Sequence, residues 1–164
     1  MGQYHLSQHT STITPGATLS RFIGPIADCR DFLWGQLTDF ENWPNWSSNI
    51  RTVTRTDAGS VGRGSKLDVT TSSGTQCWHI AHWDPGKRID FIVESQNRRL
   101  GYSFVFNGPS EEYNVELRLS MEFEFSGMTS LFSRFLQYCE RKKAVRLFEE
   151  LTTYVENLGN KGHG

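Results

Sequence analysis

Thiol, imidazole and phenol side chains could move a proton or hold a metal near neutral pH, and three of them crowd one short stretch. Cys77, His79 and His82 all lie within Cys77-Trp78-His79-Ile80-Ala81-His82. The surrounding pattern reads as a strand, in which residues two apart share a face and residues three apart do not. Cys77 and His79 therefore form a candidate metal pair, but no third ligand is evident and no metal site is expected. His79 and His82 point to opposite faces, so they do not chelate one ion together. Either one, if it faces an interior, is a candidate general acid–base. The strand's apolar residues leave both parities open, because Trp78 and Ile80 favour one and Trp83 the other. A bulge near Asp84-Pro85 would switch the phase.

Tyr102 lies on a strand whose even members, Leu100, Tyr102, Phe104 and Phe106, are the apolar set. An inward phenol donates either to a ligand carbonyl or to a backbone group. Ser95 is similarly placed after Phe91 and Val93, yet no Ser-His-Asp or Cys-His arrangement assembles from these strands. Gly59-x-x-Gly62-x-Gly64 opens no helix and is followed by no Gly-Lys-Ser/Thr, so turn chemistry explains it better than a phosphate cradle. No cofactor is expected. Arg141, Lys142, Lys143 and Arg146 read as a solvated helix face balanced by Glu140, Glu149 and Glu150. Lys143, one turn after Cys139, is the member placed to reach an anionic group at a cavity mouth.

The elements that must position these groups follow from periodicity. Ala17 to Gly24 reads as a first strand, and Asp28 caps a short helix carrying Phe32, Leu33 and Leu37. Pro44 limits a second helix to a turn or two. From Ile50 to Ser126 the pattern becomes period two, broken by turns at Asp57–Gly64, Ser72-Ser73-Gly74, Asp84–Lys87 and Asn107-Gly108-Pro109. That gives about six successive antiparallel strands. Between Glu112 and Ser126 every odd position is apolar (Tyr113, Val115, Leu117, Leu119, Met121, Phe123, Phe125) and no even one is. Such a strand has one wet and one buried face, and something must cover the buried one. Thr129 to Leu158, with apolar residues at three- and four-residue steps, is a long helix suited to that task.

Composition narrows the function classes. Lys plus Arg number 17 and Asp plus Glu 18 in 164 residues, a net charge of −1 that argues against nucleic-acid binding by bulk charge and against a polybasic membrane-surface protein. Aromatics make up 13%, a surplus that needs a core or a cavity wall. Cys29, Cys77 and Cys139 are widely spaced and read as reduced. Met1 to Thr14 lacks a basic region followed by an apolar run, and no stretch approaches the ~18–20 apolar residues of a membrane span. The expectation is a soluble, cytoplasmic domain over residues 15–158, with polar tails at 1–14 and 159–164.

Three pieces carry a resemblance: Trp34-Gly35-Gln36-Leu37-Thr38-Asp39-Phe40-Glu41-Asn42-Trp43-Pro44-Asn45-Trp46, Val61-Gly62-Arg63-Gly64, and Ile80 through Trp83-Asp84-Pro85-Gly86-Lys87-Arg88. They resemble the START-like helix-grip superfamily (SRPBCC, polyketide cyclase/dehydrase-like). The likeness implies an α+β fold in which a seven-stranded curved antiparallel sheet wraps a long C-terminal helix, with two short helices after strand 1. It implies that Asp39 caps the turn into the second short helix. It also places Ile80 inward, and with it Trp78 and His82.

On that resemblance, Leu67, Val69, Trp78, Ile80, Phe91, Val93, Tyr102, Phe104, Leu117 and Leu119 would wall a cavity. Phe132, Phe135, Leu136 and Cys139 would close it from the helix, with Phe40 and Trp46 near one end. Sheet carboxylates fall on the wet parity, so the expected ligand is neutral and hydrophobic. Two readings follow. One is a polyketide cyclase- or dehydratase-like enzyme using His82 and Tyr102; the other is a non-catalytic carrier or sensor of a lipid or aromatic metabolite. A module that docks proteins on the exposed sheet face is weakest, because that face is charged. Sequence leaves the oligomeric state open.

Overall fold

The computed structural model describes residues 14–24, 29–108 and 115–161. Asp28, Tyr113 and most of the N-terminal tail, which the sequence singles out, lie outside them. Strand β1 (Thr14–Ile23) leads to helix α1 (Cys29–Thr38), a 3-10 turn (Phe40–Asn42) and the one-turn α2 (Trp43–Trp46). Six strands follow: β2 (Ile50–Arg55), β3 (Lys66–Thr71), β4 (Gly74–Asp84), β5 (Arg88–Ser95), β6 (Arg98–Asn107) and β7 (Val115–Phe125). A 3-10 segment (Gly127–Phe132) then feeds α3 (Ser133–Lys161). The first strand begins earlier than Ala17, and α3 runs past Leu158 to Lys161. No helix among the described residues is long and apolar enough to cross a membrane.

All seven strands join one antiparallel sheet in the order β1-β7-β6-β5-β4-β3-β2. The first strand pairs with the last because hairpins connect the others, leaving β7 free on its far side. Alternation makes one face apolar. Phe123, Leu100, Val93, Trp78 and Leu67 form one row across five strands, all at most 7% exposed. On α3 the buried positions are Glu140, Ala144, Phe148, Leu151, Thr152 and Val155, a stripe at helical spacing that packs on the apolar face. Arg21, inward on β1, fastens the helix by donating to Thr152 Oγ1 at 3.0 Å and Glu156 Oε2 at 2.7 Å.

Much of the aromatic surplus is core. Trp43 is 1% exposed, its indole N–H donates to the Leu37 carbonyl at 2.9 Å, and its ring meets Phe40, Trp78 and Phe91 edge-on at 5.6–5.7 Å. Trp34 bridges Trp83 at 5.0 Å and Phe106 at 5.6 Å. Pro44 sits at the start of α2, where its missing N–H costs nothing. Asp39 precedes the 3-10 turn but caps it through its backbone: its carbonyl accepts from Asn42 N at 3.0 Å, and its side chain makes no capping bond.

Candidate functional site

A break in strand register decides the fate of the histidines. Ile80 pairs with Phe91, but His82, not Ala81, pairs with Asp90, and Trp83 then pairs with Ile89. Ala81 is thus the extra residue of a bulge, and it reverses the parity of everything after it. Trp78 and Ile80 face the core, as does Trp83. His82 faces outward, in a row with Asp90, Ser103 and Ser120 on neighbouring strands. The inward placement of His82 is therefore corrected. On that outer face Asp90, 1% exposed, accepts from Arg88 Nε at 2.9 Å and Nη2 at 2.6 Å, and from Ser103 Oγ at 2.6 Å. Its carboxylate lies between serine and histidine in the row, so this is not a nucleophile–base–orienter relay.

Cys77 and His79 do share the outer face, Sγ and Nε2 being 3.6 Å apart. Among the described residues no group of three or more ligating side chains gathers there or elsewhere. The glycine-rich loop is turn chemistry. Gly59 and Gly64 hold φ of 93° and 91°, and the Asp57 carboxylate accepts from Lys66 N at 2.7 Å and Ser65 Oγ at 3.1 Å. Those bonds, the Lys66 N–H above all, hold Asp57 below the usual carboxylate range.

The inner face opens into a cavity of about 400 Å³ between β2–β4, β6 and the middle of α3, a volume suited to a small molecule. Ile50, Val69, Trp78, Ala144 and Leu147 give it an apolar wall. Ser47, Asn49, Ser72, Ser73 and Gln76 give it neutral polar groups. Tyr102 stacks on Trp78 with ring centroids 5.3 Å apart and planes at 18°. Burial, and after it the nearby Glu140 charge, pushes its phenol well above the ordinary tyrosine range, with Arg98 opposing. Tyr102 therefore remains a neutral donor and acceptor, never a base at physiological pH.

Glu140 is the charged centre of this site. It is 5% exposed, and its Oε1 accepts from Arg98 Nη1 and from Lys143 Nζ, each at 3.0 Å. At the mouth, Glu150 accepts from Ser48 N at 3.0 Å, Ser48 Oγ at 2.5 Å and Arg146 Nε at 3.1 Å. Burial pushes the Glu150 carboxyl up, but those partners outweigh it and hold it below the usual range. The lining thus carries Arg98, Lys143 and Arg146 against Glu140 and Glu150. The expectation of a neutral, hydrophobic ligand rested on the sheet alone, and the charges in this cavity come mainly from α3. Ser47 Oγ and Trp78 Nε1, on lining residues, are buried without a hydrogen-bond partner.

A protein-family model described as polyketide cyclase / dehydrase and lipid transport matches residues 31–156. The chain belongs to that family. That family description supports hydrophobic ligand binding. No curated protein matches the sequence. Among solved structures, this polyketide-cyclase-family chain is similar to Ara h 8.0201 at 16% identity and TM-score 0.62, covering 85% of this chain and 97% of that one. It is similar to a START superfamily protein from Mycobacterium smegmatis at 15% identity and TM-score 0.56, covering 90% and 99%. It also resembles the di-domain ARO/CYC StfQ from the steffimycin biosynthetic pathway, at 13% identity and TM-score 0.59, over 85% of this chain and 44% of that one. At these identities the likeness is one of fold.

The sequence-derived wall residues divide within this family fold. Val69, Trp78 and Tyr102 line the cavity described above. Leu67, Ile80, Phe91, Val93, Phe104, Leu117 and Leu119 face inward as expected but are packed to at most 2% exposure in the core. Phe40 and Trp46 also join that core, at 6% and 7%. Leu136 and Cys139 are half-buried and are not among this cavity's lining residues. Phe132 and Phe135 do not close anything: they are 65% and 66% exposed. The residues missed were Glu140 and Arg98. Stepping back by fours from the buried Phe148 gives Ala144 and then Glu140, a signal available in the helix periodicity.

Proposed function

We propose that the protein binds a small molecule with an apolar body and an anionic or hydrogen-bond-accepting end in the cavity between β2–β4 and α3, as a carrier or sensor. The observation that carries this reading is the Arg98–Glu140–Lys143 cluster set beside an apolar wall of Val69, Trp78, Ala144 and Leu147 in a cavity of mixed lining. Two cations share one buried carboxylate oxygen, so donor capacity remains for a ligand acceptor. The body of the ligand would pack on Trp78, Val69 and Leu147, where apolar burial supplies affinity and the polar end sets orientation.

Cyclase or dehydratase chemistry is the second reading, and one observation favours it. Tyr102 is held protonated beside Glu140, which suits a donor that polarises a ligand carbonyl. A cavity can also fold a flexible chain into a reactive conformer without moving a proton itself. His82 takes no part in either reading, because it stands on the outer face.

The test uses 8-anilinonaphthalene-1-sulfonate, which joins an apolar bicycle to an anion. Its fluorescence should rise on binding, and Leu147→Trp, which fills the wall, should abolish the rise while the fold is kept. Binding unchanged by Leu147→Trp would refute the assignment to this cavity. For the second reading, Tyr102→Phe should remove turnover of a poly-β-ketone chain while affinity for that chain persists; turnover that survives would exclude Tyr102 from the chemistry.

A further inference from the structure

We propose that the 3-10 segment before α3 and the N-terminal half of α3 together form a docking face for anionic lipid membranes. Five large apolar residues are exposed among the described residues, and four of them fall in one short stretch. Leu131 is 73% exposed, Phe132 65%, Phe135 66% and Tyr138 54%; the fifth, Phe22, stands alone on β1. Phe135 and the buried Ala144 are nine residues apart, two and a half turns at ~3.6 residues per turn, so they occupy opposite sides of the helix. Phe135, Tyr138 and Lys142 then follow at steps of three and four along the outward side of α3, and Leu131 and Phe132 add exposed apolar surface in the 3-10 segment that feeds it. Isolated exposed apolar residues are ordinary on a protein surface, but a contiguous aromatic stripe is not.

The charge around the stripe identifies its partner. Arg134, Arg141, Lys142 and Arg146 are exposed beside it, and the Lys142 ammonium sits 4.8 Å over the Tyr138 ring. From Leu131 to Arg146 the one carboxylate in the sequence is Glu140, which is buried and already bound by Arg98 and Lys143. The positive charge is local, since the whole chain carries −1. A second copy of this face would set like charges against one another. A bilayer with anionic headgroups answers both features, with the rings entering the interfacial zone and the long basic side chains reaching phosphates. Side-by-side rings on a convex helix enter a fluid interface without a shaped groove to receive them. Arg146 lines the ligand cavity and also the groove beside Tyr138, so docking would bring the cavity mouth near the lipid surface. The proposal stands on the exposed stripe and its charge, independently of what the cavity holds.

The experiment is co-sedimentation of the full chain with vesicles of phosphatidylcholine alone and of phosphatidylcholine mixed with phosphatidylglycerol. The protein should partition onto the mixed vesicles and be released as salt rises. The double substitution Phe132→Ser with Phe135→Ser should weaken partitioning on the order of tenfold. The pair Arg141→Glu with Lys142→Glu should weaken it on the order of a hundredfold. All four side chains are exposed, so an unchanged melting temperature verifies that the fold is intact. Equal binding to both vesicle types, or no loss in either variant, overturns the proposal. So does a lipid-free dimer broken by Phe135→Ser, or capture by polyglutamate without vesicle binding; these would assign the face to a second copy or to an acidic protein.

Discussion

Replacing Glu140 with Gln keeps the side-chain shape and removes only its charge, and the structure predicts opposite signs for stability and for binding. Glu140 is nearly enclosed, with a side chain 7% exposed, while its partners Arg98 and Lys143 are 30% and 47% exposed. A fully buried pair that loses one member costs about 3–5 kcal/mol, because the orphaned charge stays dry. Here both cations reach water, which places the cost nearer the surface limit, at about 1–2 kcal/mol. The same change frees two cations at the polar end of the cavity. An anionic probe such as 8-anilinonaphthalene-1-sulfonate then gains about 1 kcal/mol, roughly five- to tenfold in affinity, if one of them engages it in a medium of intermediate dielectric. Urea denaturation measures the first quantity and fluorescence titration the second. Arg98→Gln is the counterpart: it should lower stability too, but weaken the probe. If Glu140→Gln weakens probe binding, or if Arg98→Gln leaves it unchanged, the cluster is not the polar end of the ligand site.

Three further outcomes follow from the geometry. Tyr102 has its phenol pKa raised by burial, so the unfolded chain deprotonates first; the stability it lends is full below the unfolded value and falls as pH rises above it. Between pH about 10 and about 11 the natural protein should lose about 1 kcal/mol more than Tyr102→Phe, measured by denaturation at both pH values; equal losses would contradict the burial of that phenol. Asp90→Ala leaves the Ser103 hydroxyl without its acceptor and Arg88 without its carboxylate, at a cost of about 2–3 kcal/mol in a melting or denaturant series, and a double-mutant cycle with Ser103→Ala should show coupling between the two. His82→Ala, on the outer face, should change neither probe affinity nor any turnover by more than about twofold; a larger loss would place it in the cavity after all.

The architecture was legible in the sequence because hydrophobic periodicity reports which side of an element is dry. Val115 through Phe125 alternates without exception, and the structure makes it the strand that joins β1 to β6. Parity predicted the inward set correctly up to Ile80. It failed one residue later, since a bulge inserts a backbone residue without changing composition, and Ala81 suits either face. Phe132 and Phe135 failed for a different reason. Hydrophobicity marks what water would shed but does not name the surface that covers it, so two aromatics expected to close the cavity face outward instead.

The location of the cavity follows from volume rather than pattern. Phe91 and Phe104 point inward as parity requires, but Trp43, delivered by the Trp-Pro turn of α2, already meets Phe91 and Trp78 edge-on. A side chain of that size, 1% exposed, leaves little for a ligand to occupy at the middle of the sheet. The space that remains is displaced toward the Thr71–Gly74 turn, under the part of α3 where the buried stripe passes through Ala144 to Glu140. A small residue and then a charged one, where Leu or Phe would otherwise pack, make that space both open and polar. A single enlargement therefore tests the cause directly. Ala144→Leu extends the apolar stripe of α3 into the gap, and it should abolish probe binding while raising or preserving stability, because it fills volume rather than creating strain. Probe binding retained in a well-folded Ala144→Leu protein would show that the ligand site lies elsewhere in the grip of the sheet.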